Sequence, residues 1–403
     1  MKQKHWPDPL VSIRSDNLTF IVRRKLADWL PTPDWLILMV LWFVIIASFS
    51  TNYLPLKRHI ESPHLQPDPI SKQWYLDQIR ARQAWSISSG SRNVIVAVID
   101  TGVDYTHRDL APNIWRNPAE IPHDGIDNDH NSYTDDYYGW DFIDNDGYPM
   151  PGEVEGAEHG TMVAGIIGAV HDNGGIDGIS GNVQIIPVRV KTGEVELDSF
   201  LPCSQGQAAY YLAQGIKYAA DNGANVINLS LTSSLASQQL GQCVQDAIWY
   251  AFAKGVVIVA ASGNSNENSV SFPASMTPVI AVGATDKQDQ RLSINRHEGS
   301  NYGYALDVVA PGVDIWTTTI NNQIKRCYGT SLAAPQVAGL AALLFSMEPP
   351  LSATQVRAYI ETYTQEVEGY NYTNGWNEET GWGRIDVYGA LHAASLNSQS
   401  TLR

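Results

Sequence analysis

Short runs of apolar, mostly β-branched residues alternate along this chain with longer stretches of helical periodicity. "NVIVAVID" (Asn93 to Asp100), "VQIIPVRV" (Val183 to Val190), "ANVINLSL" (Ala224 to Leu231), "GVVIVAASGN" (Gly255 to Asn264) and "PVIAVGAT" (Pro278 to Thr285) are nearly continuous in apolar character. Alternation of period two would mean one wet face, whereas continuity means a strand buried on both faces. Between these runs, "AAYYLAQGIKYAADNG" and "CVQDAIWYAFAKG" repeat their apolar positions at helical spacing, each with a glycine just past its end. Strand, helix, strand, helix predicts an α/β fold with a mostly parallel twisted sheet and helices on both faces. In such sheets function collects at the carboxyl ends of the strands.

The N-terminal part reads differently. "WLILMVLWFVIIASF" (Trp35 to Phe49) is uncharged and follows Arg23, Arg24 and Lys25. At about fifteen residues it is somewhat short of the ~20 that span a bilayer, a gap that tilt or flanking residues can close. A hydrophobic helix over 35–50 is therefore expected ahead of the folded domain. As a transmembrane anchor it leaves residues 1–34 in the cytoplasm and everything after it outside, by the charge rule for membrane orientation. As a signal peptide cut after Ala47 to Ser50 it releases a secreted protein, and a buried core helix is the third reading. The proline-rich stretch 51–70 reads as a linker, 71–395 as the folded domain and 396–403 as a tail.

Composition narrows the classes. A hydrophobic content of 44% is ample for a core, while a net charge of −16 argues against nucleic acid as a partner and fits secretion or calcium binding. Cys203, Cys243 and Cys327 are too few for a disulfide framework and lack metal-ligand spacing, leaving one bridge, for which Cys203 with Cys243 is the expected pair.

Four residues at strand ends or helix starts carry candidate chemistry. Asp100 closes the first apolar run before the turn "TGVD", where an aspartate also serves as a turn former or cap. His159 opens the helical run "HGTMVAGIIGA", and Asn264 closes "AASGN". In "CYGTSLAAPQVAGLAALL", Ala334, Val337, Ala338, Ala341 and Leu344 can share one buried face, which puts Thr330 and Ser331 at a helix start. There a serine is either an N-cap or a nucleophile, since the same N–H groups and dipole end that welcome a cap also favour an oxyanion. Taken together the four supply what acyl transfer needs. Ser331 attacks, His159 moves the proton, Asp100 holds the imidazole, and the Asn264 amide with the Ser331 N–H receives the oxyanion.

On these motifs, "VAVIDTGVD", "HGTMVAGIIG", "AASGN" and "GTSLAAPQVAG", the chain resembles the subtilisin-like serine proteases, in the family's order Asp, His, Ser and from about Asp68 to Leu391. The resemblance implies a serine endopeptidase that needs no cofactor for catalysis and takes a peptide or protein as substrate; a monomer is expected, and the charge rule above puts its catalytic domain on the outer side of the membrane. Narrower processing or peptide ligation is the alternative, and a silent peptide-binding module the remaining one. It makes Asp100, His159 and Ser331 the charge-relay residues and Asn264 the oxyanion donor. It also has the strand Asn228 to Leu231 pair with the substrate backbone. Ser230, Leu231 and Thr232 then form one wall of the pocket before the scissile bond, and Ala261, Ser262 and Gly263 the other. Thr232 stands where relatives have glycine and is expected to crowd that pocket, and Met162 stands where many have a second histidine. An inhibitory prodomain is common in the family, and the anchor and linker leave no room for one here.

Between the aspartate and histidine motifs, "DGIDNDHNSYTDDYYGWDFIDNDGYP" is dense in carboxylates. Asp127, Asp129 and Asn131 alternate as in the first half of an EF-hand loop, with Asp135 and Asp136 beyond and no glutamate at the closing position. Such a loop is either a solvated acidic surface or a calcium site, and mutual repulsion favours calcium held by these five residues.

Overall fold

The computed structural model describes residues 72–191, 208–232 and 242–401, the side chains of 398–401 excepted. The expected anchor or signal helix, the linker and Cys203 lie outside these residues. Among the described residues no helix is long and apolar enough to cross a membrane. They all belong to one compact unit, Gln66–Arg403.

The five apolar runs form five neighbouring strands of one sheet: β1 (Ile95–Asp100), β3 (Gln184–Arg189), β4 (Val226–Leu229), β5 (Val257–Ala261) and β6 (Val279–Thr285). β2 (Trp140–Asp141), β9 (Val308–Pro311), β12 (Thr364–Gln365) and β13 (Arg384–Ile385) complete it in the order β12-β13-β9-β6-β5-β4-β1-β3-β2. Every neighbouring pair is parallel except β12 with β13. Two antiparallel hairpins stand apart, β7 (Ser293–Asn295) with β8 (Glu298–Gly299) and β10 (Ile315–Thr319) with β11 (Gln323–Cys327).

β1 shows why the runs are continuous. Val96 and Val98 pack into a core cluster with Val163, Ile166, Val337 and Leu340, whereas Ala97 and Ile99 pack into a second cluster with Leu212, Ile216 and Ile248. Both faces are covered, which favours apolar residues along the strand until its end at Asp100. Short helices α1 (Trp74–Gln78) and α2 (Ala81–Ala84) precede the sheet. On the first face lie α3 (His159–Gly168) and α6 (Thr330–Phe345); on the second lie α4 (Ala208–Asp221) and α5 (Gln242–Ala253). Gly223 and Gly255, just past α4 and α5, have φ of +77° and +82°, the left-handed turn that ends a helix.

Two expectations are corrected. The helix after Ser331 does not bury a single face: between the sheet and α3, α7 (Ala353–Thr362) and α8 (Val387–Thr401), almost every residue of α6 is buried. Its Ala and Gly content is what allows this, since a Cβ on Gly339 would meet Ile179 at 2.5 Å. The tail expected from 396 is instead helical, because α8 runs on to Thr401.

Candidate active site

β1 ends at Asp100, and α3 begins at His159 directly against it. Thr101 fixes the junction: its hydroxyl donates to Ala157 O at 2.7 Å and accepts from Gly160 N at 2.9 Å. Gly160 permits the close approach, for a Cβ there would lie 2.2 Å from Gly102 O. The result is an imidazole whose Nδ1 sits 2.8 and 3.0 Å from the two Asp100 oxygens, and Asp100 is fully buried. Thr101 N also donates to Asp100 Oδ1 at 2.7 Å. Burial alone would raise the Asp100 pKa, but His159, the Lys191 ammonium at 3.7 Å and these hydrogen bonds outweigh it and hold the carboxyl below its ordinary value.

Ser331 is the second residue of α6, and Gly329, with φ of +130°, occupies the N-cap position without a side-chain cap. The cap reading of Ser331 therefore falls away. Pro335 has no N–H to return to the Ser331 carbonyl, and Ser230 Oγ donates to that carbonyl at 2.9 Å instead, tying the end of β4 to the start of α6. Ser331 Oγ lies 3.5 Å from Ser230 O, a long contact at the limit of hydrogen bonding. Asn264 is oriented by its oxygen: Oδ1 accepts from Thr330 N at 2.9 Å and Thr330 Oγ1 at 3.0 Å, which leaves Nδ2 as the donating end.

His159, Ser331, Asn264, Ser230, Leu231 and Thr232 line one cleft of about 620 Å³. Thr232 lies in its wall. Ala261, Ser262 and Gly263 do not: Ala261 and Ser262 are fully buried, and the Ser262 hydroxyl donates to Asn301 O at 3.0 Å. The strand that carries them is covered on both faces up to its turn. Leu292, Ile294 and Glu298, in and around the β7–β8 hairpin, line the cleft with Lys325 to Tyr328 at the end of β11. Sequence reasoning missed these, together with Lys191, although "VRVK" puts a lysine directly after a strand, the place where function collects. The Cys327 thiol lies 3.4 Å from Met162 Sδ. Cys243 is disulfide-bonded, and Cys203, its expected partner, lies outside the described residues.

The acidic loop gathers a different set from the one expected. Glu120, Asp127 and Asp129 bring one carboxylate oxygen each within 4.8 Å of one another. Glu120 Oε1 accepts from Asn128 N and Asp129 N, at 2.8 and 3.2 Å, while Oε2 is buried with no hydrogen-bond partner. Among the described residues none of the three forms an ion pair, so this carboxylate set fits a hard divalent cation. Asn131, Asp135 and Asp136 are engaged elsewhere. Asn131 Nδ2 donates to Asp129 and Asp136, both at 3.1 Å, and Asp135 accepts from the Asp124 and Gly125 amides. Asp136 is buried and accepts from Tyr218 Oη at 2.7 Å and Asn117 Nδ2 at 2.8 Å. Burial raises its pKa, because those partners are neutral and Asp129 adds like charge.

Residues 91–383 match the Subtilase family. The chain is 39% identical over 311 residues to the thermophilic serine proteinase of Bacillus sp. (strain AK1), covering 76% of this chain and 64% of that one. It is 36% identical over 325 residues to thermitase of Thermoactinomyces vulgaris, covering 80% and 96%. To M-protease of Shouchella clausii (strain KSM-K16) it is 32% identical over 320 residues, covering 79% and 68%. With this match over most of the chain, the protein belongs to the subtilase family and is a subtilisin-like serine-type endopeptidase.

Proposed function

We propose that the chain hydrolyses peptide bonds through an acyl-enzyme on Ser331, with His159 as base and then acid, Asp100 as its orienting group and Asn264 as oxyanion donor. The observation that carries this reading is the buried Asp100 to His159 contact of 2.8 Å, which occupies Nδ1 and leaves Nε2 for Ser331 in the shared cleft. Ser331 Oγ attacks the substrate carbonyl as His159 takes its proton; the tetrahedral oxyanion receives Asn264 Nδ2 and the Ser331 N–H; His159 returns the proton to the leaving amine. Water then repeats the sequence on the ester. The weak contact of Ser331 Oγ with Ser230 O is readily given up, and the hydroxyl turns its proton to His159 Nε2 when a carbonyl is seated. The extended substrate lies along Ser230 to Thr232, and Thr232 disfavours very bulky side chains at the residue before the cut. Equal turnover of Phe-ending and Ala-ending peptides would remove that last point.

The cleft is assigned to catalysis by turnover of a chromogenic peptide in the wild type and in Ser331→Ala, with both melts recorded. Lost turnover with an unchanged melt supports the reading, and retained turnover sinks it. Glu120, Asp127 and Asp129 hold a structural calcium, which supplies charge neutralisation and takes no part in the chemistry. The domain works outside the cytoplasm, released after signal cleavage or held by the 35–50 segment.

A further inference from the structure

The wall of the cleft beside His159 carries a charge that the mechanism does not use. Lys191 follows β3, lines the cleft, and has a side chain 12% exposed. Two other cations of the cleft are neutralised by dedicated carboxylates: Lys325 donates to Glu158 at 2.9 Å, and Arg326 pairs with Asp314 at 3.5 Å. Among the described residues, the carboxylate that Lys191 pairs with is Asp100 at 3.7 Å, and that one is fully buried and already committed to His159 and to Thr101 N. Glu298, on the opposite wall, is taken up by Tyr328 Oη at 2.9 Å and Asn295 Nδ2 at 3.1 Å. Lys191 thus brings positive charge to the cleft surface, while its counter-charge lies beneath.

The sheet order says which part of a substrate meets it. Asn264 follows β5, Ser230 to Thr232 follow β4, and on the far side Asp100 ends β1 and Lys191 follows β3. A peptide laid extended along Ser230 to Thr232 sends successive side chains to opposite sides. Given the proposed mechanism, on which this inference rests, the residue whose carbonyl is attacked turns its side chain toward the β5 side. The residue before it turns toward β1 and β3, where His159 and Lys191 stand. We infer that Lys191 selects an acidic side chain, Asp or Glu, at this second residue on the acyl side. The chain as a whole carries −16, so long-range steering works against acidic peptides, and the selection is one of local contact.

The test uses three chromogenic peptides that differ only at that residue, with Glu, Gln or Lys, on wild type, Lys191→Met and Lys191→Glu in calcium buffer. The readout is the ratio of kcat/KM between peptides on one preparation, which is independent of how much of that preparation is folded. In the wild type the Glu peptide is favoured over Gln by about fivefold, the scale of a partly exposed ion pair. The ratio falls to about one in Lys191→Met, and Lys191→Glu favours the Lys peptide. Raising the salt to about 0.5 M shrinks the wild-type ratio, a reading that needs no variant to fold. A wild-type ratio at or below one, or a ratio unchanged in Lys191→Met, overturns the inference. If labelling by a fluorophosphonate persists while the ratio is flat, only Lys191's role falls. Absent labelling and absent turnover together remove the peptidase reading and this inference with it.

Discussion

The cleft and the acidic loop each contain a buried aspartate, and the two are pushed in opposite directions. Burial works against the charged form at both Asp100 and Asp136, but Asp100 faces His159 and Lys191, and its pKa is lowered. Asp136 faces Tyr218, Asn117 and Asn131, all neutral, with Asp129 adding like charge, and its pKa is raised. The difference is the presence of a cation made by the chain itself. The buried carboxylate of the cleft has its counter-charge within the chain. The loop has no such cation among the described residues and leaves Glu120 Oε2 buried and unpartnered, which is what the proposed calcium would complete.

The comparison can be broken at several strengths. The largest effect is expected at the cleft: His159→Ala lowers kcat by about 10⁶-fold and leaves the thermal melt within a few degrees, since the base and the nucleophile act as a unit. Asn264→Ala lowers kcat by roughly 10²- to 10³-fold with little change in KM, because its amide meets the oxyanion and not the ground state. A comparable rise in KM alone would contradict that role.

At the loop the readout is stability. Exhaustive chelation lowers Tm by about 4 °C, the scale of releasing an ion held at a hundredfold excess over its Kd from a domain of this size. Glu120→Gln reduces that calcium-dependent difference, while Asp135→Asn leaves it in place. An unchanged melt after chelation removes the calcium site.

The smallest effect is on acid stability. The folded pKa of Asp100 lies below its unfolded value of about 3.9, so its contribution is present above that pH and is lost as pH falls through the lowered value. Lys191→Met removes one cause of the lowering, and the acid unfolding midpoint, followed by circular dichroism, moves up by a few tenths of a pH unit. A midpoint that stays or moves down shows that Lys191 does not act on Asp100.

Much of the cleft was legible from sequence because strand ends and helix starts are marked locally. Asp100 closes a continuous apolar run, Ser331 follows a glycine turn, and Asn264 closes a run at Gly263. Long-range pairing then brings them together: β1 lies between β3 and β4, which sets Asp100 beside Lys191 and one strand from Ser230. What local pattern could not give was the rest of the wall. Lys191 reads as a solvated charge after a strand until its neighbour is known, and the β7–β8 hairpin is too short for a period. Ala261 and Ser262, expected in the wall, keep their side chains buried at the end of β5. In the loop the alternation of Asp127, Asp129 and Asn131 suggested ligands; Asn131 Nδ2 orients Asp129 and Asp136, and its Oδ1 accepts from Tyr133 N. Glu120, upstream of the alternation, comes within reach of Asp127 and Asp129 only once the loop closes on it.

The central claim is that Ser331 is an activated nucleophile, and the most direct test is covalent. The domain in calcium buffer is treated with a fluorophosphonate, and the adduct is located by intact mass and peptide mapping, beside Ser331→Ala and Asp100→Asn. The account predicts one adduct on Ser331, none in Ser331→Ala and strongly slowed labelling in Asp100→Asn. A folded wild type that takes up no probe, or takes it up on another residue, contradicts it.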